Sequence, residues 1–305
     1  LGSSFEEHRI YLDVNTENCW YLGDKSMGIV EFTPIYQYQK GALDAKIGLK
    51  FTSLYGLYEG TKLHPYLDAK VELVSNGLWL HGTADGGNYI ESLSDVANLT
   101  PWLRMPTGAI SGENLKFGDT KLDLKFAVEA KLFKHLSVNL YESYSIYEDK
   151  LFPYPATYGN TFFLKPSYQS YKKLTTGLEA SFASKSVNVI GFFKYNIYTA
   201  ADENPLYFLP KYEGFIEASY NLHNKLLVSA YFNYRSEVRC PPFYALPEDF
   251  TLPGYKDLGA KIQYNIIPNI AVFAKAGNLL GSENFIYSFI GGLPRNFGGG
   301  ICIDF

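Results

Sequence analysis

The charged side chains are the first residues whose spacing points to chemistry. Asp44, Lys46, Lys50, Asp68, Lys70, Glu72, Lys121, Asp123, Lys125, Glu129 and Lys131 recur at even intervals within their segments, so in extended chain they share one face. Their signs are balanced. That favours cross-strand ion pairs across a wet interior, each worth a few tenths of a kcal/mol. The functional alternative is a lining that docks a plug or conducts solutes, although a selective ion pore more often shows one sign at its constriction. Lys46, Lys50, Asp68, Lys70, Lys121, Asp123, Lys125 and Glu129 are the lumen-facing candidates.

Acid–base chemistry finds less support. A catalytic base must lie within hydrogen-bond reach of its partner. His81 and Asp85 share a strand face but stand about 13 Å apart at four-residue spacing, and His64 and Asp68 fail in the same way. His135 and His223 fall in predicted turns. The G-x-S-x-G, H-E-x-x-H and P-loop patterns are missing from the sequence. Cys19, Cys240 and Cys302 are an odd, scattered set without C-x-x-C spacing. Cys19 and Cys240 are expected in loops. No catalytic residue, metal ligand or cofactor is assigned, and the chain reads as a non-enzyme; a barrel enzyme is the least favoured of three readings.

A third group of residues suits recognition. Tyr89, Trp102, Phe152, Tyr154, Tyr158, Phe243, Tyr244, Phe250, Phe285 and Tyr287 lie in long links rich in Pro and Gly. Such rings stack on sugars, porphyrins or corrinoids, or else pack on one another to leave water. Tyr89, Trp102, Tyr154, Tyr158, Phe243, Tyr244 and Tyr287 are the substrate-binding candidates.

The elements that must carry these residues have a period of two. From Lys121 to Leu132 the even positions are all apolar, while the odd ones are charged apart from Ala127. A dozen alternating residues exceed the usual strand of about five or six and match the nine to eleven needed to cross a bilayer at a tilt. The same alternation recurs in about fourteen segments, from Phe5–Val14 through Leu136–Tyr147, Tyr168–Phe182 and Tyr212–Leu222 to Asn296–Phe305. Pro34 and Pro65 fall inside two of them, which predicts bulges or slips there.

The links between segments alternate in length. Short ones lie at Lys40-Gly41, Ser75-Asn76-Gly77, Lys134-His135, Ser184-Lys185, His223-Asn224 and Pro268-Asn269. Long ones include Asn15–Ser26, Asp85–Phe117, Asp149–Ser167, Glu237–Gly254 and Leu280–Arg295, with a short helix expected over Glu91–Leu99. Outer-membrane barrels sort their loops in this way. The expected fold is therefore an all-β, antiparallel up-and-down transmembrane β-barrel occupying residues 1–305 as one domain. Its apolar rows face lipid, with Tyr144, Tyr195, Tyr220, Tyr234 and Tyr264 among them, and its charged rows face the lumen.

Composition agrees with this. Charged residues are 19%, aromatic residues 17% and the net charge −4, which leaves no basic field for nucleic acid. Mean hydropathy is −0.11, as expected from averaging a greasy face with a wet one. No run approaches the ~18 apolar residues of a helical span.

The final segment carries a family resemblance. Phe297, Ile301, Ile303 and Phe305 share one face and the last residue is aromatic. This resembles the terminal strand of bacterial outer-membrane proteins, in which Phe305 would be the signal read by the barrel-assembly machinery. Ile270–Leu280, containing Gly277-Asn278-Leu279-Leu280, followed by Gly292-Leu293-Pro294-Arg295-Asn296-Phe297, resembles the closing hairpin of TonB-dependent receptors. The stretch from Gly86-Gly87-Asn88 to Pro101-Trp102-Leu103 is similar to a loop of receptor-like barrels of the Bacteroidetes lineage.

The resemblance implies an outer membrane of a Gram-negative bacterium and energised uptake of a small-molecule or glycan nutrient, or a metal complex. It also implies TonB and a surface lipoprotein as partners, with the lipid bilayer as surroundings. Such receptors have twenty-two strands and a plugged lumen. Nothing before Phe5 matches a plug, so the chain is expected to be the C-terminal portion of a longer receptor. The alternative is a plugless fourteen-stranded porin or hydrophobic-solute channel.

Overall fold

A computed structural model describes residues 2–20, 26–56, 63–90, 116–158, 161–242, 248–287 and 290–303. Among them, fifteen strands form one antiparallel sheet in which nearly every strand pairs with its neighbours in the chain. They begin with β1 (Gly2–Phe5), β2 (His8–Trp20), β3 (Ser26–Lys40), β4 (Leu43–Gly56) and β5 (Leu63–Ser75). Next come β6 (Leu78–Ile90), β7 (Phe117–Phe133), β8 (Leu136–Tyr158), β9 (Thr161–Ala183) and β10 (Val187–Ala200). The series continues with β11 (Tyr212–Leu222) and β12 (Leu226–Arg235). After a small hairpin, β13 (Val238–Cys240) and β14 (Phe250–Leu252), it resumes with β15 (Tyr255–Ile267) and β16 (Ile270–Gly277). A second small hairpin, β17 (Phe285–Tyr287) and β18 (Ile290–Gly291), precedes β19 (Asn296–Ile303).

The alternation fixes which face each residue takes, and the register joins those faces across strands. Phe32 pairs with Phe51, Leu49 with Leu67 and Leu73 with Leu80. Leu124 pairs with Tyr144, Leu140 with Leu178 and Tyr220 with Val228. These rows make one continuous apolar face. The opposite face carries most of the charges.

Curvature identifies the outside. Contacts that skip a strand arise only on a concave surface, and here they join polar-face residues. Lys50 of β4 reaches Asp85 of β6 at 2.7 Å, and Tyr66 of β5 reaches Asp119 of β7 at 3.0 Å. At the loop ends, Met27 and Ile29 of β3 pack with Ile90 of β6 and Phe117 of β7 on that same face. The apolar face is convex and uncovered: Ile47 is 56% exposed, Phe126 58% and Ile301 68%. A water-soluble sheet would bury this face. A sheet with greasy rows outward and charges inward is the wall of a transmembrane β-barrel.

The six short links expected from the sequence all lie at one end of the sheet, whereas β8 and β9 meet closely at the other. Asn76 and Gly77 both take positive φ, 46° and 82°, as a two-residue hairpin turn requires. The expected segment Phe5–Val14 is split by the Glu6–Glu7 turn, which adds a fifteenth strand to the sheet. Register runs unshifted past Pro34 and Pro65, so the expected bulges are not found there; Pro34 costs a ladder hydrogen bond without displacing its strand.

Other strands run further toward the loops than the alternation indicates. The expected link Asp149–Ser167 is mostly hairpin, because β8 and β9 each extend for 23 residues. A bulge between Tyr147 and Lys150 interrupts the period of two at that point. Cys19 and Cys240 lie on β2 and β13 rather than in loops, and no disulfide joins the three cysteines. Glu91–Leu99, the expected short helix, lies outside the described residues.

Candidate functional site

The concave face is a lattice of paired charges and hydrogen bonds. Lys46 lies 3.0 Å from Asp68, diagonally across β4 and β5. Lys50 meets Asp85 at 2.7 Å and also donates to the Gly86 carbonyl at 2.8 Å. Lys70 pairs with Glu72 at 2.7 Å, and Lys121 sits between Asp119 at 2.7 Å and Glu148 at 3.2 Å. Asp123 accepts from the Ser145 hydroxyl, and Glu129 from Ser137. Lys125 lies over the Tyr141 ring, 4.5 Å from its centre. Each of the eight lumen candidates therefore has a neighbour of complementary chemistry on the concave side.

Between β9 and β11 the lattice is tighter and is centred on a buried side-chain amide. Thr175 donates to Asn196, 1% exposed, whose amide donates to Glu213 and to the Pro210 carbonyl. Burying Asn196 is tolerable because each polar atom finds a partner. The row Tyr147, Tyr171 and Tyr198 lies above it, with ring centres 5.2 and 5.8 Å apart.

Above the rim, the loops pack on one another. Phe152 at the outer part of β8 contacts Tyr154, Tyr207 and Phe208. Gln169 of β9 exchanges two hydrogen bonds of 3.2 Å with the Tyr207 backbone. The Tyr207 hydroxyl donates to Asp249 at 3.1 Å, and Asp249 is ion-paired to Arg239. Burial, with the Asp249 hydrogen bond, pushes the Tyr207 phenol up to about 12. Val238, Cys240 and Leu252 form a small core beneath, against Phe208, Phe250 and Phe285.

The predicted recognition residues divide. Tyr89 is on β6, not in a loop, beneath the Lys150 ammonium 4.6 Å from its ring centre. Tyr154 and Tyr158 are on β8, and Tyr287 is on β17. Trp102, Phe243, Tyr244 and Phe305 lie outside the described residues. Tyr66, Asp119, Asn196, Tyr207 and Asp249 escape sequence reasoning. The signal for Tyr66 was available: it is an aromatic residue on an otherwise charged row.

The two halves of the closing motif meet in space. Asn278, 3% exposed with φ 48°, receives the Ser282 amide on its side-chain oxygen and donates to the Ser282 and Leu293 carbonyls. Its own amide donates to Asp257 at 2.8 Å. Gly281 lies beneath the Arg295 guanidinium, where a Cβ would come within 2.7 Å of Nε. The Asn-Leu-Leu turn and the Pro-Arg segment thus brace one loop between β16 and β19.

No family model matches this chain, and no curated protein does. Solved structures do match in fold. The FrpB iron transporter from Neisseria meningitidis superposes with a TM-score of 0.68 at 9% identity, over 98% of this chain and 53% of its own. The ferric-catecholate import receptor Fiu from K12 E. coli gives 0.65 at 11%, over 100% and 53%. The pyoverdine outer membrane receptor FpvA from Pseudomonas aeruginosa PAO1 gives 0.65 at 14%, over 94% and 44%. This chain shares the antiparallel β-barrel fold of these proteins. It spans about half the length of the receptors it matches. Their barrel walls share its antiparallel up-and-down architecture.

Proposed function

We propose that this chain forms the C-terminal barrel portion of a TonB-dependent receptor-like importer, of Bacteroidetes type, in the outer membrane of a Gram-negative bacterium. The observation that carries the reading is the orientation of the sheet: apolar rows convex, neutralised charges concave, and long links confined to one end. Such a wall encloses a wet interior whose charges are already paired, which suits a lumen filled by a plug better than an ion-selective pore. The braced loop at Asn278 and Arg295 supports the family reading.

The substrate is a nutrient captured by the loop assembly, with a metal complex preferred over a glycan. The solved neighbours named for ferric-catecholate and pyoverdine favour the chelate, and the partly exposed rings of Tyr154 and Tyr207, packed over the buried Phe152, offer stacking surfaces for its aromatic or planar groups. TonB, the barrel-assembly machinery and a surface lipoprotein are the proposed partners.

The test is uptake of labelled ferric chelates and of labelled oligosaccharides by cells displaying the full-length gene product, with and without TonB. Uptake of a chelate that vanishes without TonB supports the reading. Uptake that survives loss of TonB identifies a passive channel instead.

A further inference from the structure

The convex rows hold one acidic side chain among the described residues, Glu142. It lies on β8 between Leu140 and Tyr144, facing Phe126 on β7 and Thr176 on β9. Leu136 to Ile146 is the apolar run of that strand, so Glu142 sits near its middle, where lipid is driest. Among the described residues its carboxylate has one hydrogen-bond donor, the Thr176 hydroxyl at 3.3 Å. An ionisable group at that depth is costly and is retained where it has a partner. On the concave face the carboxylates have such partners; here the protein supplies one hydroxyl.

The surface beside it is shaped to receive something. Ala69, Gly82 and Ala84 are neighbours in the convex rows of β5 and β6, and their small side chains leave a groove of about 490 Å³. A Cβ at Gly82 would meet little. Phe126 and Tyr144 form the far wall, and Glu142 contributes its polar point. A shallow apolar groove with one carboxylate suits a ligand that is mostly hydrocarbon with one hydrogen-bond donor, since a carboxylate accepts but does not donate. A cationic donor also supplies the missing charge.

We infer that Glu142 and Thr176, with the groove over Ala69, Gly82 and Ala84, form a bilayer-facing site for a long-chain amine amphiphile. Its hydrocarbon chain lies in the groove and its ammonium meets the Glu142 carboxylate. The inference requires that the convex face meet lipid; it does not depend on what the barrel imports.

The probe is octadecylamine carrying a diazirine and an alkyne, added to the full-length protein in vesicles of phosphatidylethanolamine and phosphatidylglycerol. Photolabelling should concentrate on peptides from β6 to β8 and be displaced by octadecylamine, not by octadecanoic acid. Glu142→Gln should lower that labelling about tenfold, as loss of a charged hydrogen-bond partner does. Gly82→Leu, which fills the groove while matching its lipid surroundings, should lower it similarly. If Glu142→Gln fails to assemble, Glu142→Leu, which suits an apolar row, takes its place. Equal labelling of wild type and the Glu142 variant overturns the proposal. So does equal displacement by octadecanoic acid, or photo-crosslinking of a second protein chain at the patch in place of the probe.

Discussion

The ring of Tyr141 lies across Gly177, its direct partner on the neighbouring strand, on the concave face. A Cβ on Gly177 would stand 2.2 Å from the ring, so the glycine is the seat that lets the tyrosine lie flat and become 8% exposed. The same joint recurs where Tyr231 covers Gly259 and Tyr55 covers Gly28, each with its register partner. A side chain at the glycine must lift the ring, expose it and separate it from Lys125 above. Gly177→Val is therefore expected to cost about 1–3 kcal/mol as an overpacked site. The midpoint of heat-induced unfolding on gels should fall. Adding Tyr141→Ala should recover part of that loss, because ring and methyl groups no longer compete; strictly additive losses would show that the two residues are not coupled.

What sequence could show here depended on period and on distance along the chain. Tyr212–Leu222 was legible to the residue because its faces alternate without interruption. The outer half of β8 was not: its bulge shifts the faces, and Pro153 pairs with Pro166 where prolines suggest a loop. The charged row was legible as a row. Its actual partners were not, since Lys50 and Asp85 sit on strands that are not neighbours and only the curvature of the sheet brings them together. The Tyr207–Asp249 contact is harder still, because it joins two loops with no periodicity to read.

Phe126 tests the facing of the sheet. It is 58% exposed on the convex side, level with Glu142. Phe126→Arg places a cation against mid-bilayer lipid and should cost about 2–4 kcal/mol. Membrane insertion should be impaired, with loss of the heat-modifiable band. A variant that assembles and migrates as wild type would mean that this face does not meet lipid.

Lys125, one residue away, should answer oppositely. It points to the concave side and, among the described residues, rests over Tyr141 rather than in an ion pair. Lys125→Glu removes a cation–π contact worth about 0.5–1 kcal/mol and leaves a solvated charge. Assembly and heat-modifiable migration should be retained. Failure of this variant to insert would sink the concave assignment as surely as success of the arginine variant would.

Tyr207 gives the loop assembly a pH signature. Burial, and then the hydrogen bond to Asp249, raise its phenol from the ordinary 10.0 to about 12. The folded loops therefore hold this proton more tightly than the unfolded chain does. Below about pH 10 both states keep the proton and the contribution to stability is fully present. As pH rises from about 10 to 12 the unfolded chain releases it first, so stability falls through that window. Tyr207→Phe has no proton to lose, and the difference between its thermal midpoint and that of wild type should change across the window. Asp249→Asn should narrow the window, because burial then acts without the carboxylate. A wild-type midpoint that runs parallel to Tyr207→Phe from pH 9 to about 12 would show that the phenol is not held by the packed loops.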